Sequence, residues 1–144
     1  MHRATADVCD ELGADVRVFP PGLQDFGGVP SFAGLAVTLR VHEDNALVRE
    51  TLETPGRGRV LVVDGGASLR TALVGGNLGA LAAANGWTGI VVWGAVRDVS
   101  ELRRSPVGIR ALASMPRRSA KQGQGERDVP LALGGIVVNP GDWI

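Results

Sequence analysis

Two short apolar runs, Val60-Leu61-Val62-Val63 and Gly89-Ile90-Val91-Val92-Trp93, constrain this chain more than any other feature. Neither alternates with polar residues, so each reads as a strand covered on both faces, the kind found in parallel sheets flanked by other layers. The first run ends in Asp64-Gly65-Gly66, the second in Gly94-Ala95-Val96 followed by Arg97-Asp98. In such sheets, ligands bind where loops and helix starts converge at the carboxyl ends of the strands. Function is therefore expected at those ends.

The rest of the pattern supplies an α/β frame. Thr5 is placed to cap a helix to Leu12 that Gly13 stops. Residues 19–30 read as an irregular loop. Leu35, Val37, Leu39 and Val41 alternate with Ala36, Thr38 and Arg40, which predicts a strand with one buried face. Asp44 should cap a helix carrying Leu47, Val48 and Leu52 on one side. Residues 69–74 read as a strand that Gly75-Gly76 breaks, and Asn77 should cap a helix through Ala84. A helix from Val99 to Arg104 and a strand near 109–113 follow. Beyond them come a polar, glycine-rich loop at 119–125 and strands at 129–133 and 135–138. The 144 residues suit one domain spanning 1–144, with no linker. The pattern breaks off at Pro140-Gly141-Asp142-Trp143-Ile144, as in a shortened product.

Charge and composition exclude several classes. Fifteen basic residues balance fifteen acidic ones, which disfavours nucleic acid as a direct partner. The start of the chain lacks the apolar run of a signal peptide, and no stretch approaches the ~18 apolar residues of a membrane span. Cys9 is the only cysteine, so no internal disulfide and no cysteine-based zinc site is expected. A cytoplasmic protein fits all of this. Lys121 is the only lysine beside fourteen arginines, and it falls in the polar loop. A Schiff-base enzyme needs a lysine in a desolvated pocket, so carbon–carbon chemistry here would have to use a metal.

Two strand ends carry the candidate chemistry. At Gly75-Gly76-Asn77-Leu78 the bare backbone and helix start offer N–H groups to a carboxylate or enolate oxygen. Taken alone, the segment reads as readily as a glycine turn with an ordinary Asn77 cap. Arg97 offers a planar fork for a carboxylate, and Asp98 a hard oxygen ligand for Mg²⁺ or Mn²⁺. An isolated pair of this kind is also what a surface salt bridge or a helix-initial aspartate looks like. Asp64 serves equally as a turn residue, and His42-Glu43 as a surface pair. The stretch Asp64-Gly65-Gly66-Ala67-Ser68 lacks the G-x-G-x-x-G spacing of a dinucleotide loop.

Phe26-Gly27-Gly28, Phe32-Ala33-Gly34, Glu43-Asp44-Asn45-Ala46-Leu47, Val63-Asp64-Gly65-Gly66, Gly75-Gly76-Asn77-Leu78, Gly94-Ala95-Val96-Arg97-Asp98 and Gly134-Gly135 through Pro140-Gly141-Asp142 occur in a familiar order. With them the chain resembles, over nearly its whole length, the family of the regulator of ribonuclease activity A, which includes the class II 4-hydroxy-4-methyl-2-oxoglutarate aldolases. The resemblance implies a three-layer β/β/α swivelling-domain (phosphohistidine-domain-like) fold, assembled as a ring-shaped homotrimer. It implies substrate binding by the backbone of residues 75–78, a substrate-holding Arg97, and an Asp98 that carries a divalent cation, Mg²⁺ or Mn²⁺, largely through waters. The implied reaction on a small 2-oxo-dicarboxylate is retro-aldol cleavage of 4-hydroxy-4-methyl-2-oxoglutarate to two pyruvates. Oxaloacetate decarboxylase activity would follow from the shared pyruvate enolate. The family's other implied role is a regulator that binds ribonuclease E or an RNA helicase. Members labelled demethylmenaquinone methyltransferases are less apt relatives, given the missing nucleotide loop. The chain departs from the aldolase pattern where an acidic residue is usual about twenty positions before the Arg-Asp pair. Gly76 and Asn77 stand there, with nineteen residues between Asn77 and Arg97. Aldolases of the family also continue with an acidic turn and a strand beyond Trp143.

Overall fold

The computed structural model describes residues 3–144. One mixed sheet contains β1 (Gln24–Asp25), β2 (Ala36–Arg40), β3 (Val60–Asp64), β4 (Ala72–Val74), β5 (Gly89–Val96), β6 (Gly108–Ser114) and β7 (Glu126–Arg127). Their order is β1-β6-β5-β3-β2-β7, with β4 attached to β5. The central strands β2, β3, β5 and β6 are parallel, and the two-residue edge strands β1 and β7 are antiparallel to their neighbours. The helices are α1 (Thr5–Leu12), α2 (Ala46–Leu52), α3 (Gly76–Ala84) and α4 (Val99–Arg104). A separate hairpin joins β8 (Leu131–Leu133) to β9 (Ile136–Val138). Its two-residue turn is Gly134-Gly135, both at positive φ, the conformation that tight hairpins require.

The all-apolar run explains the layers. Successive residues of a strand point to opposite faces, so Leu61 and Val63 join a core with Val48, Leu52, Ala82 and Leu102 of the helices. Val60 and Val62 join a second core with Leu131, Leu133 and Val138 of the hairpin. The four apolar side chains of β3, Val60 to Val63, are completely buried, each stabilising the fold by about 1.5–3 kcal/mol. The result is the expected three-layer β/β/α arrangement: hairpin, sheet, helices.

Several local expectations change. The strand predicted over 35–41 is buried on both faces rather than one, because the hairpin layer covers its second face. Thr38 is fully buried there and donates to the Val129 carbonyl at 2.7 Å, while Leu35 is exposed. The strand expected over 69–74 shrinks to Ala72–Val74, since residues 68–70 turn outward to bind Glu43 through Ser68 and Arg70. Ala4, rather than Thr5, precedes α1. Asn77 does not cap α3. The helix begins at Gly76, and no side chain of Gly75-Gly76-Asn77 caps it.

Candidate active site at the ends of β4 and β5

The register of the sheet creates the site. β3 pairs with β5 as far as Asp64 and Trp93, and beyond that point β4 takes over, pairing Ala72 with Ala95 and Val74 with Val96. Because Val74 and Val96 are partners, the residues that follow them, Gly75-Gly76 and Arg97-Asp98, emerge side by side. The Arg97 N–H donates to the Val74 carbonyl at 2.9 Å, which extends the pairing by one step. The two segments singled out from the sequence are thus brought together by one strand pair.

Asp98 is the pivot. Its backbone is left-handed, with φ 59 and ψ 47, a conformation that aspartate tolerates better than most residues. This turn aims its side chain away from its own helix, α4, which it does not cap. Instead Oδ2 accepts the Gly76 N–H at 2.9 Å, placing a carboxylate at the positive end of α3. Gly75 and Gly76 are bare because neighbours occupy the space. A Cβ on Gly75 would lie 2.8 Å from Asp98 Oδ2 and 3.2 Å from Arg97 Cγ, and one on Gly76 would run into the Glu101 carboxylate. The N–H groups of Asn77 and Leu78 are left without an acceptor among the described residues.

These residues border a small, solvent-open hollow, lined on one side by Gly75, Asn77, Leu78, Arg97 and Asp98. Asn45, Arg49, Ser119 and Lys121 line the other side. Arg97 and Asp98 do not form an ion pair with each other. Among the described residues, no carboxylate lies within ion-pair distance of Arg49, Arg97 or Lys121. Three cations and one carboxylate therefore face the same space.

Comparisons with known proteins establish the family and the fold. The family model RraA-like, described as Aldolase/RraA, matches residues 5–144. The chain belongs to the RraA-like family. It is 60% identical over 149 residues to a Burkholderia multivorans protein named "Putative 4-hydroxy-4-methyl-2-oxoglutarate aldolase", covering 100% of this chain and 91% of that one. A solved structure described as the RNA-processing inhibitor RraA from Thermus thermophilis is 54% identical, with a TM-score of 0.95 over 99% of this chain and 87% of that one. Another, described as an S-adenosylmethionine:2-dimethylmenaquinone methyltransferase from Geobacillus kaustophilus, is 42% identical, with a TM-score of 0.95 over 98% of this chain and 88% of that one. In this RraA-like chain the turn after β3 is closed on itself. Asp64 Oδ1 takes the Gly66 N–H at 2.8 Å, and the Gly65 and Ala67 N–H groups go to the Trp93 carbonyl. That leaves those amides committed within the turn.

Of the residues anticipated from the sequence, Gly75, Asn77, Leu78, Arg97 and Asp98 line the hollow, while Gly76 lies buried beneath it, its N–H engaged by Asp98. Lys121 is the surprise: it is exposed, as its loop suggests, yet its ammonium reaches the edge of the hollow and lines it. A signal for it existed in the sequence, since a chain that otherwise uses only arginine keeps one lysine. Asn45 and Arg49 give no comparable signal, because they read as ordinary positions around a helix start.

A divalent cation finds limited donors. Among the described residues no three His, Cys, Asp or Glu side chains gather to hold a metal. Asp98 Oδ1 accepts no hydrogen bond from them, however, and Mg²⁺ is commonly held by one or two carboxylates together with waters and substrate oxygens. The donor set would suit a cation in that open form, with Asp98 the side chain that would hold it.

Proposed function

We propose that this RraA-like chain is a lyase acting on a small 2-oxo-dicarboxylate, cleaving 4-hydroxy-4-methyl-2-oxoglutarate to pyruvate and decarboxylating oxaloacetate. One observation carries the reading: Arg97 and Asp98, adjacent in sequence, are not paired with each other and both face the hollow. The names of close relatives support the same substrate class.

Arg97 grips the carboxylate of the 2-oxo acid end through two N–H groups, and the open N–H groups of Asn77 and Leu78 lie on the same side to hold its oxygens. In aldol cleavage the C4 hydroxyl loses its proton and the C3–C4 bond breaks. The electron pair moves into the C2 carbonyl as an enolate, and C3 is then protonated. Arg97 stabilises the negative charge developing on that oxygen. A divalent cation held at Asp98 would supply further polarisation of the 2-oxo group. Within the hollow Asp98 is the one carboxylate among the described residues, so the hydroxyl proton passes to Asp98 or to water. Oxaloacetate loses carbon dioxide without any prior proton removal, so decarboxylation is the less demanding of the two reactions. The test is to incubate the protein with Mg²⁺ and either substrate, with and without chelator, and follow pyruvate. Turnover no greater than that of a folded Arg97→Ala variant overturns the reading.

A second reading rests on the likeness to the structure described as an RNA-processing inhibitor. In it the chain binds ribonuclease E or an RNA helicase by protein contact, and retention of the purified enzyme on the immobilised chain tests it. A homotrimer is the assembly we propose for either role, and light scattering of the eluted protein measures it.

A further inference from the structure

The loop at 119–125 is fastened on both sides of Lys121. Before it, the Ser119 hydroxyl is buried and donates to the Ala72 carbonyl at 2.7 Å. The backbone of Ala120 is paired in both directions, its N–H to the Glu43 carbonyl at 2.9 Å and its carbonyl to the Asn45 N–H at 3.0 Å. After it, the buried Asp44 carboxylate accepts the N–H groups of Gln122 at 2.7 Å and Gly123 at 3.2 Å, besides that of Ala46 at the start of α2. Lys121 itself donates from Nζ to Asn45 Oδ1 at 3.2 Å, and Asn45 is fixed in turn by donating from Nδ2 to the Leu73 carbonyl. A long, flexible side chain is thereby held with its ammonium at the edge of the hollow. Arg49, one turn into α2, borders the same edge.

We infer that Lys121, with Arg49, forms a second anion-holding pole that binds the distal carboxylate of a dianionic substrate while Arg97 holds the 2-oxo acid end; this rests on the lyase reading for the identity of that substrate. Charge supports it: the hollow carries three cations without an ion-pair partner among the described residues against the single carboxylate Asp98, a positive excess that favours a dianion over a monoanion. The backbone agrees as well. Asp98 already engages the Gly76 N–H, so the start of α3 retains only the Asn77 and Leu78 amides, enough for one end of the ligand. Asp44 is the positioning residue of this pole and touches no ligand.

The experiment measures binding of 2-oxoglutarate and of pyruvate by calorimetry, with Mg²⁺ present, in the wild type and in Lys121→Met, Lys121→Arg and Arg49→Gln. The expected result is that Lys121→Met weakens 2-oxoglutarate about tenfold and pyruvate less than about twofold, as for loss of one charge-assisted hydrogen bond at the distal end. Lys121→Arg should recover most of the loss, and Arg49→Gln should reproduce the selective effect on a smaller scale. Equal weakening of both ligands, no weakening of either, or no preference for the dicarboxylate in the wild type overturns the inference. Selective binding without pyruvate production from oxaloacetate removes the lyase reading and leaves the second pole standing. Turnover with no dependence on Lys121 does the reverse.

Discussion

The two sides of the hollow are built in opposite ways. On one side, Gly75 to Leu78 and Arg97-Asp98 follow directly from neighbouring parallel strands, so a short-range register positions every group. On the other, Lys121 sits in a loop without regular structure and is placed by residues more than seventy positions earlier, Asp44 and Asn45. The first side owes its geometry to the sheet, which would have to unfold to lose it. The second depends on one buried carboxylate and a few hydrogen bonds, and a single substitution can release it. On the proposed reading, the reacting end of the ligand would fall to the rigid side, and discrimination to the side that is easier to alter.

Substitutions at four positions probe that contrast, and the largest effect is expected on the strand side. Arg97→Ala should lower kcat/KM for oxaloacetate by about 10²–10³-fold with an unchanged melting temperature, as expected when a group acts on developing charge. Asp98→Asn and Asp98→Ala should both lower turnover by about a hundredfold. Only the alanine variant should also lose about 1–2 kcal/mol in urea unfolding, because it removes the acceptor of the Gly76 N–H and fits the left-handed backbone less well.

On the loop side, Asp44→Ala strands the N–H groups that its carboxylate accepts and should cost about 2–4 kcal/mol of stability. It should also weaken 2-oxoglutarate while sparing pyruvate. Burial pushes the Asp44 carboxyl upward, but N–H donors from Ala46, Gln122, Gly123 and Gln124 outweigh it and hold its pKa below the ordinary 3.8. Its contribution is therefore complete above that value and is lost as pH falls below it, a loss that calorimetric melts of Asp44→Asn should not show.

The smallest effect is expected at Glu43, whose backbone carbonyl supports Ala120. Hydrogen bonds from Arg70 and then Ser68 lower its pKa from 4.5 to about 2. The stability difference between the wild type and Glu43→Gln should be full above pH 4.5 and fade toward pH 2.

The same contrast explains what the sequence discloses. The runs at 60–63 and 89–93, and the helix Val99–Arg104, are visible because their patterns are local and one-dimensional. The double burial of Thr38 is hidden, because the hairpin that covers it lies about ninety residues later. Asn77 has the right residue type for a cap, yet the real partner of the α3 amides is Asp98 of another element, so local propensity points to the wrong side chain. Arg97 and Asp98 are found because they follow a buried strand. Lys121 is passed over because loop composition signals exposure, which holds, while the contacts with Asp44 and Asn45 that set its ammonium at the edge of the hollow leave no local trace.

The left-handed backbone at position 98 has an evolutionary corollary. Two unrelated selections meet at one codon: the chain direction, which admits glycine, asparagine and aspartate at little strain, and the hollow, which calls for a short negatively charged side chain. Aspartate answers both at little strain, whereas glutamate, although the chain does carry one at positive φ in Glu43, costs more in that conformation and reaches further into the hollow. A homologue with asparagine or glycine there would keep the fold while giving up the charge, and on the proposed function it should bind without turning over.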